Sequence, residues 1–325
     1  MTRPICLVTG ATGAIGLAVV AELSAGHDIR ILSRRPPAHG IFEHAPSAFI
    51  GDVSDAKAVR RAAQGAHVIV HLAALLHIAD PPSQLRPEYE RINVGGTAAV
   101  LEAAKAEGVG RVIFLSTIAV YGQTDGRLLD ETSPARPDTF YGETKLAAER
   151  LALDARRPDG RPLATVLRSA AVYGSRMKGN YQRLVHALAR RRFVPVGRGG
   201  NRRTLVFEDD LASAVALAAA HPDAAGRVYN VTDGHTPTMR EIIAAICVAL
   251  GRRAPRWQVP IAPVRAAATL GGIFSGRLPR MLDRYLEDVA VKGARIEDEL
   301  GFRPRVGLSQ GWIRTIADMR HDGLL

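Results

Sequence analysis

From the N-terminus to about residue 168, short runs of Val, Ile and Leu alternate with longer alanine-rich stretches. Ile5-Cys6-Leu7-Val8 reads as a first strand, apolar throughout and so covered on both faces. A helix is predicted over Ala14 to Leu23, ending near Gly26. Asp28 to Ser33, Ala48 to Asp52, His67 to Leu72, Arg111 to Leu115 and Leu163 to Leu167 read as the next five strands. Between them the pattern predicts a helix opened by Ser54 or Asp55, a long helix from Glu88 to Glu107, and another from Phe140 to Asp154. Alternating strands and helices joined by right-handed crossovers build an α/β fold with a Rossmann-type, doubly wound parallel sheet.

Beyond about Ser169 the rhythm loosens. Short strands at Phe193 to Val196 and Val228 to Val231 mix with helices such as Thr238 to Leu250, and Pro255, Pro260 and Pro263 interrupt the chain. Residues 1–168 are expected to form one domain, built on this sheet. Residues 169–325 are expected to be mainly a smaller C-terminal α/β substrate lobe, with the chain crossing back around 204–232. A chain of 325 residues has core enough for one large domain or two intimate ones.

The turn after the first strand, Thr9-Gly10-Ala11-Thr12-Gly13-Ala14-Ile15-Gly16, is where chemistry enters. Gly10, Gly13 and Gly16 leave room for backbone to approach a pyrophosphate, and a helix N-terminus faces its charge. The spacing is GxxGxxG, not the commoner GxGxxG. Thr12, Ala14 and Ile15 complete the candidate contacts. At the end of the second strand stand Ser33, Arg34 and Arg35, with no acidic residue to bond the ribose of NAD. Arginine there favours the 2′-phosphate of NADP, although arginine also stacks on adenine, so NAD stays open. Asp52, followed by Val53, either accepts a hydrogen bond from the adenine amino group or caps the next helix.

Tyr141 and Lys145 stand at i and i+4 in the predicted Phe140 to Asp154 helix, so they share a face. The ammonium is expected to lower the phenol pKa from about 10, letting Tyr141 move a proton to or from an alcohol oxygen. With a dinucleotide turn upstream, this pair points to a nicotinamide-dependent oxidoreductase.

Net charge is +11, and lysine appears only at 57, 105, 145, 178 and 292. The arginines are dispersed rather than gathered into a stripe, which argues against nucleic acid as partner. Two cysteines, Cys6 and Cys247, form neither a disulfide framework nor a metal spacing, and no metal is expected. No apolar run reaches bilayer length, and Met1 to Pro4 pass straight into a strand. The expectation is a cytoplasmic protein with a small-molecule substrate.

The chain resembles the extended short-chain dehydrogenase/reductases, the NAD-dependent epimerase/dehydratase family. The carrying residues are TGATGAIG at 9–16, GDV at 51–53, HLAA at 71–74, NVGGT at 93–97, LSTIAVYG at 115–122, YGETK at 141–145, LRSAAVYG at 167–174, FEDDLA at 207–212 and YNVTDG at 229–234. They come in family order and span most of the chain. The resemblance implies that Thr117 bonds the reacting oxygen, that Tyr141 is the general acid/base, and that Lys145 binds the nicotinamide ribose and tunes Tyr141. It implies that Leu72, Ala73 and Ala74 line the cofactor, that Asn93 lies near the active-site backbone, and that Arg168 belongs to the segment passing the nicotinamide. Asn180 and Arg203 match substrate contacts of nucleotide-sugar enzymes. A homodimer is the family's usual state.

His71 and His77 are read as structural rather than catalytic, because each lies beside a buried strand. Ser175 stands where the family usually has proline, and Arg280 and Arg284 lack the context of a pyrophosphate pair, so the exact substrate is left open. The middle of the chain looks most like bacterial nucleotide-sugar epimerases and 4-keto reductases. The apolar stretch Val264 to Phe274 keeps open a reductase of a non-sugar ketone, flavonol- or sterol-like. A non-catalytic NADP-sensing protein is the remaining alternative.

Overall fold

The computed structural model describes residues 3–76, 82–255, 258–264 and 285–325. His77, Arg280, Arg284 and the apolar run past Val264 lie outside the described residues.

Seven parallel strands make the central sheet. They are β1 (Ile5–Thr9), β2 (Asp28–Ser33), β3 (Ser47–Ile50), β4 (Val68–His71), β5 (Arg111–Thr117), β7 (Ala164–Ser169) and β10 (Val228–Val231). Their spatial order is β10-β7-β5-β4-β1-β2-β3. The chain winds outward from β1 through β2 to β3, then returns to β4 on the other side. That reversal opens a crevice beyond the carboxyl ends of β1 and β4, where doubly wound folds bind ligands. Register places Thr9 beside His71 and Leu32, and Thr117 beside Ser169, so the candidate groups stand along one sheet edge.

Burial explains the strand composition. Leu7, Val8, Ile31, Ile69, Val70, Ile113 and Phe114 are inaccessible to solvent, and one apolar cluster covers each face of the sheet. Helix α1 (Gly16–Ser24) packs against α7 (Glu208–Ala220) on one face, while α2 (Ala56–Ala63) packs against α4 (Gly96–Ala106) on the other. Of the two residues expected to open α2, Asp55 is the cap, accepting from the amides of Lys57 and Ala58.

The long helix expected over 88–107 is interrupted. It starts as α3 (Arg86–Tyr89), widens into a π-helical turn over Glu90–Gly95, and resumes as α4. Periodicity cannot show this, because the inserted residue shifts the apolar face without ending it. Such turns concentrate at functional sites, and this one holds Asn93.

The remaining strands form two parallel pairs, β8 (Ala171–Tyr173) with β9 (Leu205–Phe207) and β6 (Leu128–Leu129) with β11 (Ala290–Val291). The expected strand at 193–196 does not form. Only a single bridge joins Val196 to Val259, since Pro195 has no amide to continue a ladder. Helices α5 (Phe140–Asp154) and α8 (Met239–Ala249) follow the sequence closely, a helix α6 (Asn180–Ala189) lies between them, and α8 opens on a reciprocal capping box between Thr238 and Glu241. A third apolar cluster, with Tyr173, Phe207 and Trp312 at its centre, binds α6 and α8 to the closing helix Leu308–His321. Among the described residues no helix is long and apolar enough to cross a membrane, and no three His, Cys, Asp or Glu gather as metal ligands.

Candidate active site

The glycine turn is shaped by the chain's own backbone. Gly10 has φ +75°, and a Cβ there would meet the Ala73 amide nitrogen at 2.7 Å. A Cβ on Gly16 would meet the Ala11 carbonyl at 2.2 Å. Gly13 closes the turn by donating its amide to the Gly10 carbonyl at 3.0 Å. Ile15 precedes α1 and offers no side-chain cap, and no acidic residue lies in the first turn. The first amides of α1 thus face the crevice with no acceptor from a side chain, which suits a pyrophosphate. Thr12, Ala14 and Ile15 are half-buried around this opening, as are Leu72, Ala73 and Ala74 from the loop after β4.

Ser33, at the end of β2, turns its hydroxyl inward onto the Arg35 carbonyl at 2.7 Å. Arg34 and Arg35 are exposed. Asp52 is not a helix cap. Its Oδ1 accepts from the Ser54 amide at 2.9 Å and hydroxyl at 2.6 Å, and Arg91 lies 3.6 Å away. These bonds, with the charges of Arg91 and Arg34, hold its carboxyl below the usual range. Arg91 comes from the π-helical turn and went unseen in the sequence, where nothing marks it. Val53 is buried, packing where a Cβ on Gly96 would lie. The uncapped helix end and the exposed Arg34 and Arg35 suit the phosphates of a dinucleotide.

At the other end of the crevice α5 begins on Thr139, which caps the Gly142 amide. Gly142 allows this helix close to the turn after β5, since a Cβ there would meet the Ala119 carbonyl at 2.8 Å. The Tyr141 hydroxyl is hydrogen-bonded to Thr117, at the end of β5. Lys145 is buried, its Nζ 4.1 Å from the centroid of the Phe114 ring. Burial pushes the Tyr141 phenol up to about 12, only partly offset by the Thr117 bond. This differs from the expectation that Lys145 lowers it, because withdrawal from water outweighs the local interactions. Burial also pulls Lys145 down to about 7, opposed by Glu149.

Asn93 anchors this end. Its Oδ1 accepts from the Leu75 amide at 2.7 Å, and its Nδ2 donates to the Leu75 carbonyl at 3.3 Å and to Thr144 Oγ1 at 3.0 Å. One buried side chain thereby ties the loop after β4 to the helix carrying Tyr141 and Lys145. His71 is structural, as expected. It is buried between Thr9 at 2.7 Å and Thr97 at 3.2 Å, and burial together with the charge of Lys145 drops its pKa to about 3.

Arg168 points into a buried ion pair. Its Nη2 donates to Glu149 Oε2 at 2.7 Å and its Nε to both carboxylate oxygens. The guanidinium lies 4.9 Å from the centroid of the Tyr121 ring. Glu149 lies one turn past Lys145 on the same helix, a spacing visible in the sequence. Asn180 is exposed at the first position of α6, whose leading Gly179 supplies no side-chain cap. Arg203 donates to the Tyr285 carbonyl at 2.8 Å, and its charge acts on Tyr181, the residue after Asn180. The two predicted substrate contacts therefore share one part of the lobe.

Residues 6–232 match the model of the NAD dependent epimerase/dehydratase family. This chain belongs to that family. As a member of the epimerase/dehydratase family it is an enzyme that works with a nicotinamide dinucleotide, and the non-catalytic alternative gives way. It is 28% identical over 314 residues to the UDP-glucose 4-epimerase of Vibrio cholerae, covering 95% of this chain and 93% of that protein. It is 31% identical over 321 residues to a 3 beta-hydroxysteroid dehydrogenase/Delta 5-->4-isomerase of Mycobacterium tuberculosis H37Rv, covering 92% of this chain and 85% of that one. The solved structure of MoeE5 in complex with UDP-glucose and NAD superposes with a TM-score of 0.77 at 29% identity, over 98% of this chain and 99% of that one.

Proposed function

We propose that this family member interconverts a secondary alcohol and a ketone on a nucleotide-linked sugar, as a 4-epimerase or a 4-keto reductase. The observation that carries the reading is the Tyr141 hydroxyl bonded to Thr117 with Lys145 one turn along the same helix. A phenol and a hydroxyl that already share a hydrogen bond converge on one small volume, where a substrate oxygen can bond to both. Tyr141 would take or return the hydroxyl proton, and Thr117 would hold that oxygen in line. Lys145 would bind the nicotinamide ribose and supply positive charge beside the phenol. NAD or NADP, when bound, supplies the hydride acceptor and donor. General acid–base help of this kind contributes about 10²–10⁴-fold.

Residues 1–168 would hold the dinucleotide, together with the part of 204–232 that returns to the sheet. The rest of the lobe would grip the substrate. Arg203 and Asn180 support a diphosphate at that lobe, because a cation and an exposed helix start lie together there. Arg34, near Asp52, supports NADP over NAD. We also propose that the enzyme works in the cytoplasm as a homodimer.

A second reading, reduction of a sterol-like ketone, is favoured by the similarity to the Mycobacterium tuberculosis enzyme. One experiment separates the readings. The protein is purified, denatured, and any released nucleotide identified by mass spectrometry. Stoichiometric NAD points to an epimerase that returns its own hydride. An empty site preferring NADPH points to a reductase, and turnover of 4-keto sugar nucleotides against sterol ketones then decides the substrate.

A further inference from the structure

Lys145 is a cation buried beside an aromatic ring, and something must keep it charged and in place. The groups around it are few. On its own helix are Tyr141 and Glu149; His71 on β4 is neutral, and β5 presents the Phe114 ring. The charge of Arg168 on β7 lies behind Glu149. Among the described residues the carboxylate acting on Lys145 is Glu149, buried one turn further along the same face of that helix.

That carboxylate is held from three sides. It accepts from the Ser116 hydroxyl, next to Thr117 on β5, and from Arg168 in a forked pair. Arg168 lies against Tyr121, whose hydroxyl donates to Asn230 Oδ1 at 2.9 Å. Asn230 in turn donates from its amide to Glu131 at 2.8 Å and from Nδ2 to the Lys292 carbonyl, beside β11. A continuous polar path therefore runs from the Tyr–Lys helix across β5, β7 and β10 to the β6–β11 pair.

We infer that Glu149 is a positioning residue for the reaction: braced by Arg168, Ser116, Tyr121 and Asn230, its carboxylate is the counter-charge that keeps Lys145 an ammonium at the site. Arg168 has a double effect. It fixes the carboxylate and also neutralises it, so Lys145 feels only part of the negative charge. The Lys145 ammonium is consequently poised rather than locked, consistent with its fall to about 7. The inference rests on the reading of Tyr141 and Lys145 as the reacting pair.

The chain has five lysines, so carbon-13 labelling at lysine Cε gives five signals, with Lys145 assigned by its loss in Lys145→Arg. Its titration is followed by NMR in the protein without added nucleotide. Glu149→Gln is expected to lower the Lys145 midpoint by about one pH unit or more, the usual effect of losing a nearby opposite charge. Arg168→Met is expected to raise it, because the carboxylate then faces Lys145 alone. Opposite shifts from the two halves of one ion pair do not arise from a merely structural role. In Glu149→Met/Arg168→Met an apolar pair replaces the ionic one, a change buried sites often accept, and the midpoint is expected below the native one. An unmoved Lys145 signal in Glu149→Gln, or in the double variant if the single one does not fold, overturns the proposal. Shifts of the same sign in Glu149→Gln and Arg168→Met also overturn it. Because the readout needs neither substrate nor turnover, failure of the sugar-nucleotide reading leaves this result standing.

Discussion

The two ends of the crevice are built on different principles. At the glycine turn, shape does the work: Gly10, Gly13 and Gly16 let backbone cross backbone, and the helix that follows opens with no side-chain cap and no acidic residue in its first turn. At the Tyr141–Lys145 end, the fold buries ions and balances them, with Lys145, Glu149 and Arg168 all withdrawn from water. The first end depends on contacts within the turn and one neighbouring loop. The second depends on partners from β5, β7, α5 and the turn after β5. A binding surface for a fixed diphosphate can be rigid and local, whereas proton transfer needs groups whose charge is balanced from several directions.

The largest expected effect separates the ends outright. Tyr141→Phe removes one hydroxyl from the chemical end and nothing from the turn. Turnover is expected to fall a hundredfold or more, while dinucleotide affinity, measured by fluorescence titration, stays within about twofold, since 1.4 kcal/mol would be needed for tenfold. Normal turnover would remove Tyr141 from the mechanism.

Gly10→Ala is the converse test. The added methyl must adopt φ +75° and displace the Ala73 amide 2.7 Å away. The left-handed backbone alone costs about 1–2 kcal/mol, and moving the loop after β4 adds to it. A loss of about 2 kcal/mol or more is expected in urea unfolding, with weakened dinucleotide binding. Unchanged stability would mean that the turn can shift, and that its glycines serve the ligand rather than the fold.

That contrast explains what the sequence disclosed. The glycine turn, the seven main strands and the Tyr–Lys spacing were legible because each is a local constraint, steric or periodic. The π-helical turn at Asn93 was not, since one inserted residue leaves apolar periodicity almost intact. Arg168 was placed beside the nicotinamide by motif, yet the structure turns its guanidinium onto Glu149, nineteen residues away and on another element. A polar side chain's partner in the third dimension has no sequence period. Glu149 itself was within reach, because Tyr141, Lys145 and Glu149 recur every four residues along one face. Arg91 carried no signal at all.

His71 stands where the two ends meet, bonded to Thr9 of the first strand and to Thr97 of the helix after the π turn. Its folded imidazole takes a proton only near pH 3, whereas an unfolded one does so near 6.5. Between those values the unfolded chain binds more protons, so acidification from pH 6.5 destabilises the fold. The limiting slope is about 1.4 kcal/mol per pH unit from this group. Urea midpoints at pH 7 and pH 5 are expected to diverge less in His71→Gln than in the native chain. Equal divergence would place the acid sensitivity elsewhere and leave the junction without a titrating group.

The smallest effect is expected at the rim of the turn end, where charge returns but is exposed. Arg34 projects from the end of β2, with no acidic residue beside it in sequence and Asp52 within its field. If it reads a 2′-phosphate, Arg34→Asp replaces attraction by repulsion at one solvent-facing contact. Such contacts are worth about 1 kcal/mol at most, so the NADP-to-NAD affinity ratio is expected to fall by up to about fivefold. The native ratio should also shrink with added salt, because an exposed pair is screened and the buried ions of the other end are not. A ratio indifferent to both the substitution and salt would take Arg34 out of cofactor choice and leave the turn end governed by shape alone.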